Sequence, residues 1–337
     1  MDLSIIIVNW NSKDYLAKCL ESVYSSTKGL QYEVIVIDNA SYDGSAEMVA
    51  KEFQTVKFIQ SSENLGFARG NNRAALNALG RYILYLNPDT EIVQNALHAM
   101  CSLLEKEQDV GAVGCKLLNA DGSIQYTCAR AFPTPFNQFC ELAGLNRLFP
   151  NIPMFSALEM HYWDHMDSSE VACLSGACMM VRKEIIDNIN GFDESFFMYA
   201  EDVDLCYRIS KSGWKIYYLA DVAIFHHSGA SSGKVITMQF FSTIQQRASN
   251  AYFLRKHFGA FKALRYRAAV LLGSMIRLAI IPLYALYAGV ARLGNGGTGI
   301  SYLRKKYSSL LLWSVGGLSL VSGRKIQASV NKASEIE

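Results

Sequence analysis

The stretch Tyr82–Glu91, YILYLNPDTE, constrains the fold more than any other part of the chain. Tyr82 to Leu86 is a short apolar run without alternation, the pattern of a strand covered on both faces. Pro88 lacks a backbone N–H and fixes its own φ, so the strand must stop before it. Asp89 is thereby expected at the carboxyl end of a central strand, the edge where open α/β sheets bind ligands. A carboxylate there can hold a divalent cation, and the cation can hold phosphates. The alternative is a cap: Asp89 and Thr90 would head a helix expected from Ile92 to about Leu104.

The flanking sequence supplies the rest of such a sheet. Leu3–Val8 reads as a buried strand ending at Asn9, Trp10 and Asn11, and a helix with Leu16, Leu20 and Val23 on one face follows. Further strands are expected at Glu33–Ile37, ending at Asp38 and Asn39, and at Val56–Gln60. Asn64–Asn72, NLGFARGNN, reads as a polar loop opening a helix that reaches Leu79. This alternation predicts an α/β fold with a mostly parallel sheet and helices on both faces. No GxGxxG or Walker A pattern occurs, which argues against a dinucleotide or P-loop site.

Past the central strand, Val110–Leu118 and Ile124–Cys128 read as strands around the turn NADGS. From Arg130 to Ser169 periodicity fails, with prolines at 133, 135, 150 and 153. A long excursion over the sheet's active edge, with short helices at best, is expected there, of the kind that serves function or is mobile; Trp163, Asp164 and His165 are read either as ligand contacts or as ordinary loop packing. The apolar run Val171–Arg182 is interrupted at Ser175 and Gly176, and Lys183–Ile189 reads as a short helix.

Glu201, Asp202 and Asp204 then open a helix directly after an aromatic loop. The helix dipole favours carboxylates in a first turn, but three exceed what capping needs. On a helix starting near Ala200, residues 201 and 204 share a face and 202 points elsewhere. Final strands at Lys215–Leu219 and Val222–Phe225 lead to His226 and His227. Ring nitrogens of adjacent histidines diverge, so one of the two is expected at a metal.

The phrases IIIVNWNS, VIVIDNASYDGS, NLGFARGNN, YILYLNPDTEI, LSGACMMVRKEII, GFDESFFMYAEDVDLCYRISKSGW and HHSGASS, taken in order and spacing, resemble the inverting glycosyltransferases of family 2, which have the GT-A fold. Within that family the chain is similar to the rhamnosyltransferase branch of bacterial surface polysaccharide (O-antigen) synthesis. The phrases span roughly residues 3 to 233. The resemblance implies that Asp38, with Asn39 and the loop at Asn9 and Asn11, binds the base or ribose side of a nucleotide-sugar donor. Arg69 and Asn87 would lie near the nucleotide. Asp89 would hold Mn²⁺ or Mg²⁺, with His226 near the metal or the diphosphate. The motif here is NPD, with Asn87 where the family's first aspartate stands. Asp202 would be the general base, with Glu201, Asp204 and Trp163 binding acceptor or supporting the site. The expected reaction is inverting transfer of L-rhamnose from dTDP-rhamnose, or of another hexose from UDP or GDP, to a hydroxyl of a glycan or lipid-linked acceptor.

The last third differs in character. From Ser228 onward 15 Lys and Arg face 2 acidic residues, a balance of +13, against −11 before it. Residues 239–259 read as helix, 268–291 are almost wholly apolar, and Leu310–Val321 forms a shorter apolar run. The run of 24 residues is long enough to span, but Arg277 and Pro282 interrupt it and basic clusters flank every break. Helices lying on or re-entering an anionic membrane surface keep all these clusters cytosolic. The expectation is a catalytic domain over 1–233 and a membrane-associating region over 234–337, peripheral or monotopic on the cytoplasmic face of the inner membrane. The start MDLSIIIVNWN lacks the pattern of a signal peptide, and eight scattered cysteines without a CxxC pair suggest reduced core thiols.

Two other functions compete. A nucleotidyltransferase would carry a glycine-rich basic loop near the N-terminus, and VNWNSKDY has no glycine and one lysine. A non-catalytic sugar-recognition module has no use for Asp202. Nucleic-acid binding is not expected, because the basic residues interleave with apolar runs.

Overall fold

A computed structural model describes residues 1–227, 236–290 and 296–316. In chain order the elements begin β1 (Leu3–Asn9), α1 (Lys13–Ser26), β2 (Tyr32–Asp38), α2 (Ser45–Glu52), β3 (Lys57–Gln60), α3 (Gly66–Ala75), β4 (Tyr82–Leu86), β5 (Thr90–Ile92), α4 (Ala96–Lys106) and β6 (Val110–Leu118). They continue β7 (Ala129–Arg130), α5 (Pro135–Ala143), α6 (Leu145–Leu148), α7 (Pro153–Ser156), β8 (Ser169–Glu170), β9 (Cys173–Leu174) and β10 (Cys178–Arg182). Then come α8 (Lys183–Ile189), α9 (Glu201–Lys211), β11 (Lys215–His226), α10 (Ile236–Phe258), α11 (Ala260–Val290) and α12 (Gly296–Ser314).

The described residues form two compact units, one of 1–132 and 164–227, the other of 133–163, 236–290 and 296–316. The excursion 133–163 thus belongs with the C-terminal helices. In the first unit a sheet runs β3–β2–β1–β4–β10–β6–β11–β5, with β8 also on β11. β1 lies parallel to β2 and β4, with Asn9 opposite Asp38 and Ile7 opposite Leu86, so three strands end together at one edge. Their apolar runs are buried on both faces, as the sequence requires.

The sheet is mixed, which corrects the expectation of mostly parallel strands. β10 is antiparallel to β4 and β6, and β5 and β8 are antiparallel to β11. A parallel neighbour needs a crossover that returns to the starting edge; β10 instead enters from the edge that binds ligands. The helix expected from Ile92 is also corrected. Thr90–Ile92 pairs with Ile224–His226 as β5, and α4 starts at Ala96, so Asp89 and Thr90 cap no helix. The supposed loop Asn64–Asn72 is mostly α3, because Asn64 Oδ1 accepts the Gly66 N–H at 2.9 Å and turns the chain into the helix, which ends at Ala75. Only Ile124 bridges Leu118, and Tyr126–Cys128 is a 3-10 turn. The two final strands are one, β11, bent by an irregularity between Leu219 and Ala223.

In the second unit α5 carries a reciprocal cap: Thr134 accepts from Asn137 N–H at 3.1 Å and Asn137 accepts from Thr134 N–H at 2.7 Å. Ala260–Leu283 of α11 is long and apolar enough to cross a membrane, with mean hydropathy 1.5, and one third of its most apolar window is buried. α12 takes up Leu310–Ser314 of the second apolar run, whose residues 317–321 lie outside the described residues. All eight cysteines are free and buried.

Candidate active site

The aligned ends of β1 and β2 hold a tight polar knot. Asn9 Nδ2 donates to Asp38 Oδ1 at 2.7 Å, and Asp38 Oδ2 accepts from Ser41 N–H and Gln60 Nε2, both at 2.8 Å. Ser41 Oγ accepts the Asn11 N–H at 2.8 Å, and Asn39 Nδ2 donates to the Gly66 carbonyl at 3.1 Å. Asn9, Asp38 and Asn39 are buried, yet Asn9 Oδ1 and Asn39 Oδ1 have no hydrogen-bond partner among the described residues. Unpartnered buried acceptors are costly in a finished fold unless water or another group satisfies them. Asn11 and Ala40 hold left-handed φ of 48° and 59°, a strain that persists where surrounding structure fixes it.

One strand further along, β4 runs into Asn87 and Asp89, and β11 brings His226 opposite Thr90. His226 Nε2 stands 3.4 Å from both Asp89 Oδ1 and Asn87 Nδ2. Gln125 sets the ring. Its Nε2 donates to the His226 carbonyl at 2.7 Å, so its Oε1 must face His226 Nδ1, at 2.8 Å. Nδ1 therefore carries the proton of the neutral ring, and the Nε2 lone pair points at Asp89 and Asn87. A carboxylate with phosphate oxygens suits Mn²⁺ or Mg²⁺, and the added imidazole lone pair favours the softer Mn²⁺ of the two. No group of three or more His, Cys, Asp or Glu converges among the described residues. His227 turns away, as adjacent histidines must: its Nε2 meets Glu91 Oε1 at 2.8 Å.

The turn at Gly176 and Ala177, just before the antiparallel β10, joins these groups to α9. Asn87 N–H donates to the Ala177 carbonyl at 3.0 Å, and the Gly176 N–H donates to Asp202 Oδ2 at 3.1 Å. Arg130 Nη2 donates to the same oxygen at 2.6 Å, while Asp202 Oδ1 accepts the Val203 N–H. Asp204 faces away into the fold, fully buried against Arg208 Nε at 2.6 Å. Glu201 is buried with Oε2 unpartnered among the described residues, and burial first, then the charge of Asp202, pushes its carboxyl up to about 8. Tyr199 and Ala200 lead into this turn with φ of 68° and 62°, two consecutive left-handed residues. Gly66, at φ +78°, lets the start of α3 sit against Phe197, and Phe196 of that aromatic loop is buried.

Arg69 is half-exposed, 3.9 Å from both Glu63 and Glu194. Trp163 belongs to the second unit. Sequence reading passed over Arg130 and Gln125, whose partners lie 72 and 101 residues away.

Comparison with known proteins places this geometry. A mannosyltransferase from Pyrobaculum calidifontis, solved with GDP-Man and Mn²⁺, aligns over 94% of this chain and 86% of its own, with TM-score 0.57 and 16% identity. The fold is therefore GT-A-like. An N-acetylglucosaminyl-diphospho-decaprenol L-rhamnosyltransferase of Mycobacterium tuberculosis is 28% identical over 246 residues, 69% of this chain and 78% of the relative. The rhamnosyltransferase WbbL of Escherichia coli K12 is 28% identical over 232 residues, 66% of this chain and 83% of the relative. The family model for glycosyl transferase family 2 matches residues 4–189, more than half of the chain. The chain thus belongs to glycosyl transferase family 2, and is a glycosyltransferase that carries a sugar from a nucleotide-sugar donor to an acceptor.

Proposed function

We propose that the protein transfers L-rhamnose from dTDP-rhamnose to a hydroxyl of a lipid-linked glycan, with inversion at the anomeric carbon. The observation that carries this reading is the turn at Gly176 and Ala177, which ties Asp202 to one side and the Asn87–Asp89 strand end to the other. The rhamnosyl and diphospho-lipid parts are supported by what the relatives from M. tuberculosis and E. coli are named for.

In this reading Asp38 holds Asn9 and the Ser41 turn in place, and the unpartnered oxygens of Asn9 and Asn39 accept from the base or ribose. Asn11, Arg69 and Asn87 border the nucleotide. Asp89 and His226 would hold a divalent cation, Mn²⁺ or Mg²⁺, whose charge would stabilise the departing nucleoside diphosphate when bound. Asp202 takes the proton from the acceptor hydroxyl. The oxygen bonds to the anomeric carbon from the face opposite the leaving group, the bond from that carbon to the diphosphate oxygen breaks, and inversion follows. Arg130 fixes the orientation of the Asp202 carboxylate, and Glu201 keeps a second carboxyl uncharged beside it. Residues 1–233 carry this chemistry, and residues 234–337 hold the protein, peripherally or monotopically, to the cytoplasmic face of an anionic membrane.

Calorimetry with dTDP-rhamnose, UDP-hexoses and GDP-hexoses, with and without Mn²⁺, tests the donor. Preference for a UDP- or GDP-sugar would replace rhamnose. The anomer of the product, read by NMR, tests inversion.

A further inference from the structure

One short stretch of chain touches both His226 and Asp202. Gln125 holds the His226 carbonyl at 2.7 Å and its ring at 2.8 Å, and at the other end Arg130 holds Asp202 at 2.6 Å. The backbone between them is pinned as well. The Gln125 N–H donates to the Leu117 carbonyl of β6 at 2.8 Å, and the Cys128 carbonyl accepts the Ser175 N–H at 3.3 Å, beside the Gly176 turn that holds Asp202. In the sheet, β10 and β6 lie on the other side of β4 from β1 and β2, whose ends carry the Asn9–Asp38 knot. Residues 125–130 thus border the catalytic groups on the side away from the proposed nucleotide, where an acceptor has to enter.

Gln125, Cys128 and Ala129 are buried, but Tyr126 and Thr127 between them are exposed. An exposed tyrosine is ordinary by itself. Its support sets Tyr126 apart. The imidazole of His165, fully buried, meets the Tyr126 ring in a T-shaped contact, centroids 5.2 Å apart at 85°. Tyr218 meets the same imidazole at 5.7 Å and donates its hydroxyl to the His165 carbonyl at 3.0 Å. His165 Nε2 donates to the Ala129 carbonyl at 3.4 Å, and the residue holds a left-handed φ of 59°, a strain that persists where the surroundings fix it. His165, singled out in the sequence as a ligand contact or loop packing, therefore stands behind Tyr126. A ring that is fixed in advance and open to solvent costs little ordering when something binds against it. A pyranose suits it: the C–H groups of one face bury apolar area on an aromatic ring, while the hydroxyls at the rim stay free to react.

We propose that Tyr126, backed by His165, is the surface on which the sugar ring of the acceptor stacks. This rests on the transfer reading, in which the attacking hydroxyl reaches Asp202. It also narrows the acceptor class: the hydroxyl is carried on a pyranose, and an alcohol without a sugar ring is a poor substitute.

Full-length protein in detergent is assayed with dTDP-rhamnose and N-acetylglucosaminyl diphosphofarnesol. Saturation-transfer NMR, with dTDP and Mn²⁺ present, reads contact between the protein and the sugar protons of that acceptor. Wild type is compared with Tyr126→Ala and Tyr126→Phe, substitutions at an exposed side chain that leave the core intact. Tyr126→Ala should raise the acceptor KM about tenfold and weaken the contact to the ring protons, while the donor KM and dTDP affinity stay within about twofold. Tyr126→Phe keeps the ring and should stay within about twofold of wild type throughout. Farnesol, a hydroxyl without a sugar, should accept poorly, and transfer to it as fast as to the sugar acceptor would overturn the proposal. So would an unchanged acceptor KM with unchanged contact in Tyr126→Ala, or a Tyr126→Phe variant as impaired as Tyr126→Ala. A wild type that transfers nothing and binds dTDP without regard to metal would sink the transfer reading instead. The NMR comparison would then still decide the stacking surface, which fails if wild type gives the sugar protons no contact that Tyr126→Ala loses.

Discussion

Arg130 Nη2 and Asp202 Oδ2 meet at 2.6 Å, joining a two-residue strand, β7, to the first turn of α9. Both side chains are largely shielded from solvent, at 19% and 11% exposed. The pair fixes one carboxylate of the acidic turn, while Oε2 of its neighbour Glu201 has no hydrogen-bond partner among the described residues. Removing one member of a shielded pair leaves a charge with no partner, a loss of about 3 kcal/mol or more. Arg130→Met should therefore lower the unfolding free energy by about 3 kcal/mol, and Asp202→Asn in that background should recover part of it. Urea denaturation of the four members of the cycle measures this, and strictly additive effects would mean the pair contributes nothing.

Gln125 is expected to matter although it touches no substrate in the proposed reading. It holds the proton on His226 Nδ1 and so turns the Nε2 lone pair to Asp89. Gln125→Leu should weaken Mn²⁺-dependent dTDP binding by about 10–100-fold, the usual effect of losing a group that orients a metal ligand. Metal-independent binding should hardly change. Equal Mn²⁺ dependence in variant and wild type would remove His226 from the metal site.

Glu201 should make stability fall with rising pH. Its folded-state carboxyl titrates at about 8, pushed up by burial and then by Asp202, against about 4.5 unfolded. Between those values the folded state holds a proton that the unfolded state has lost, so the stabilisation is full below pH 4.5 and is lost as pH rises through 8. Glu201→Gln cannot titrate and should flatten this limb, becoming more stable relative to wild type by about 1.4 kcal/mol per pH unit at most. Denaturant midpoints at pH 5, 6.5 and 8 decide it; parallel curves for the two proteins would show that Glu201 is already ionised at pH 5.

α11 is two-sided. Tyr266, Val270, Ser274 and Ile281 are buried, whereas Leu264, Leu272, Met275 and Ile280 are exposed at helical spacing along the other face. Arg277, which makes a spanning helix costly, is on the packed side with Leu142. That pattern suits a helix lying on a bilayer rather than crossing it. Leu264→Glu combined with Leu272→Glu and Met275→Glu should reduce co-sedimentation with phosphatidylglycerol vesicles at least tenfold. Unchanged co-sedimentation would leave this face with another partner.

What could be read in the sequence was whatever is local or periodic. The run at Tyr82–Leu86 stops at Pro88 as expected, and Asn9, Asp38 and Asp89 stand at strand ends because the apolar runs of β1, β2 and β4 break there. Strand direction was not readable, since Cys178–Arg182 is equally apolar whichever way it runs. β5 was hidden because Thr90–Ile92 is too short to show a period, and it is the pairing with β11 that makes it a strand. Arg130 sits in a stretch with no repeat, and nothing near it in sequence announces a partner on α9.

In the proposed reaction Asp202 takes the proton of the acceptor hydroxyl. Asp202→Asn preserves size and some hydrogen-bonding capacity toward Arg130 and Gly176, and removes the base. The direct measurement is steady-state sugar transfer paired with donor calorimetry on the same preparation. Transfer should fall by about 10²–10⁴-fold, the usual effect of a positioned base, while Mn²⁺-dependent donor binding stays within a few-fold of wild type. Near-normal turnover in Asp202→Asn, or a collapse in Glu201→Gln alone, would contradict the assignment.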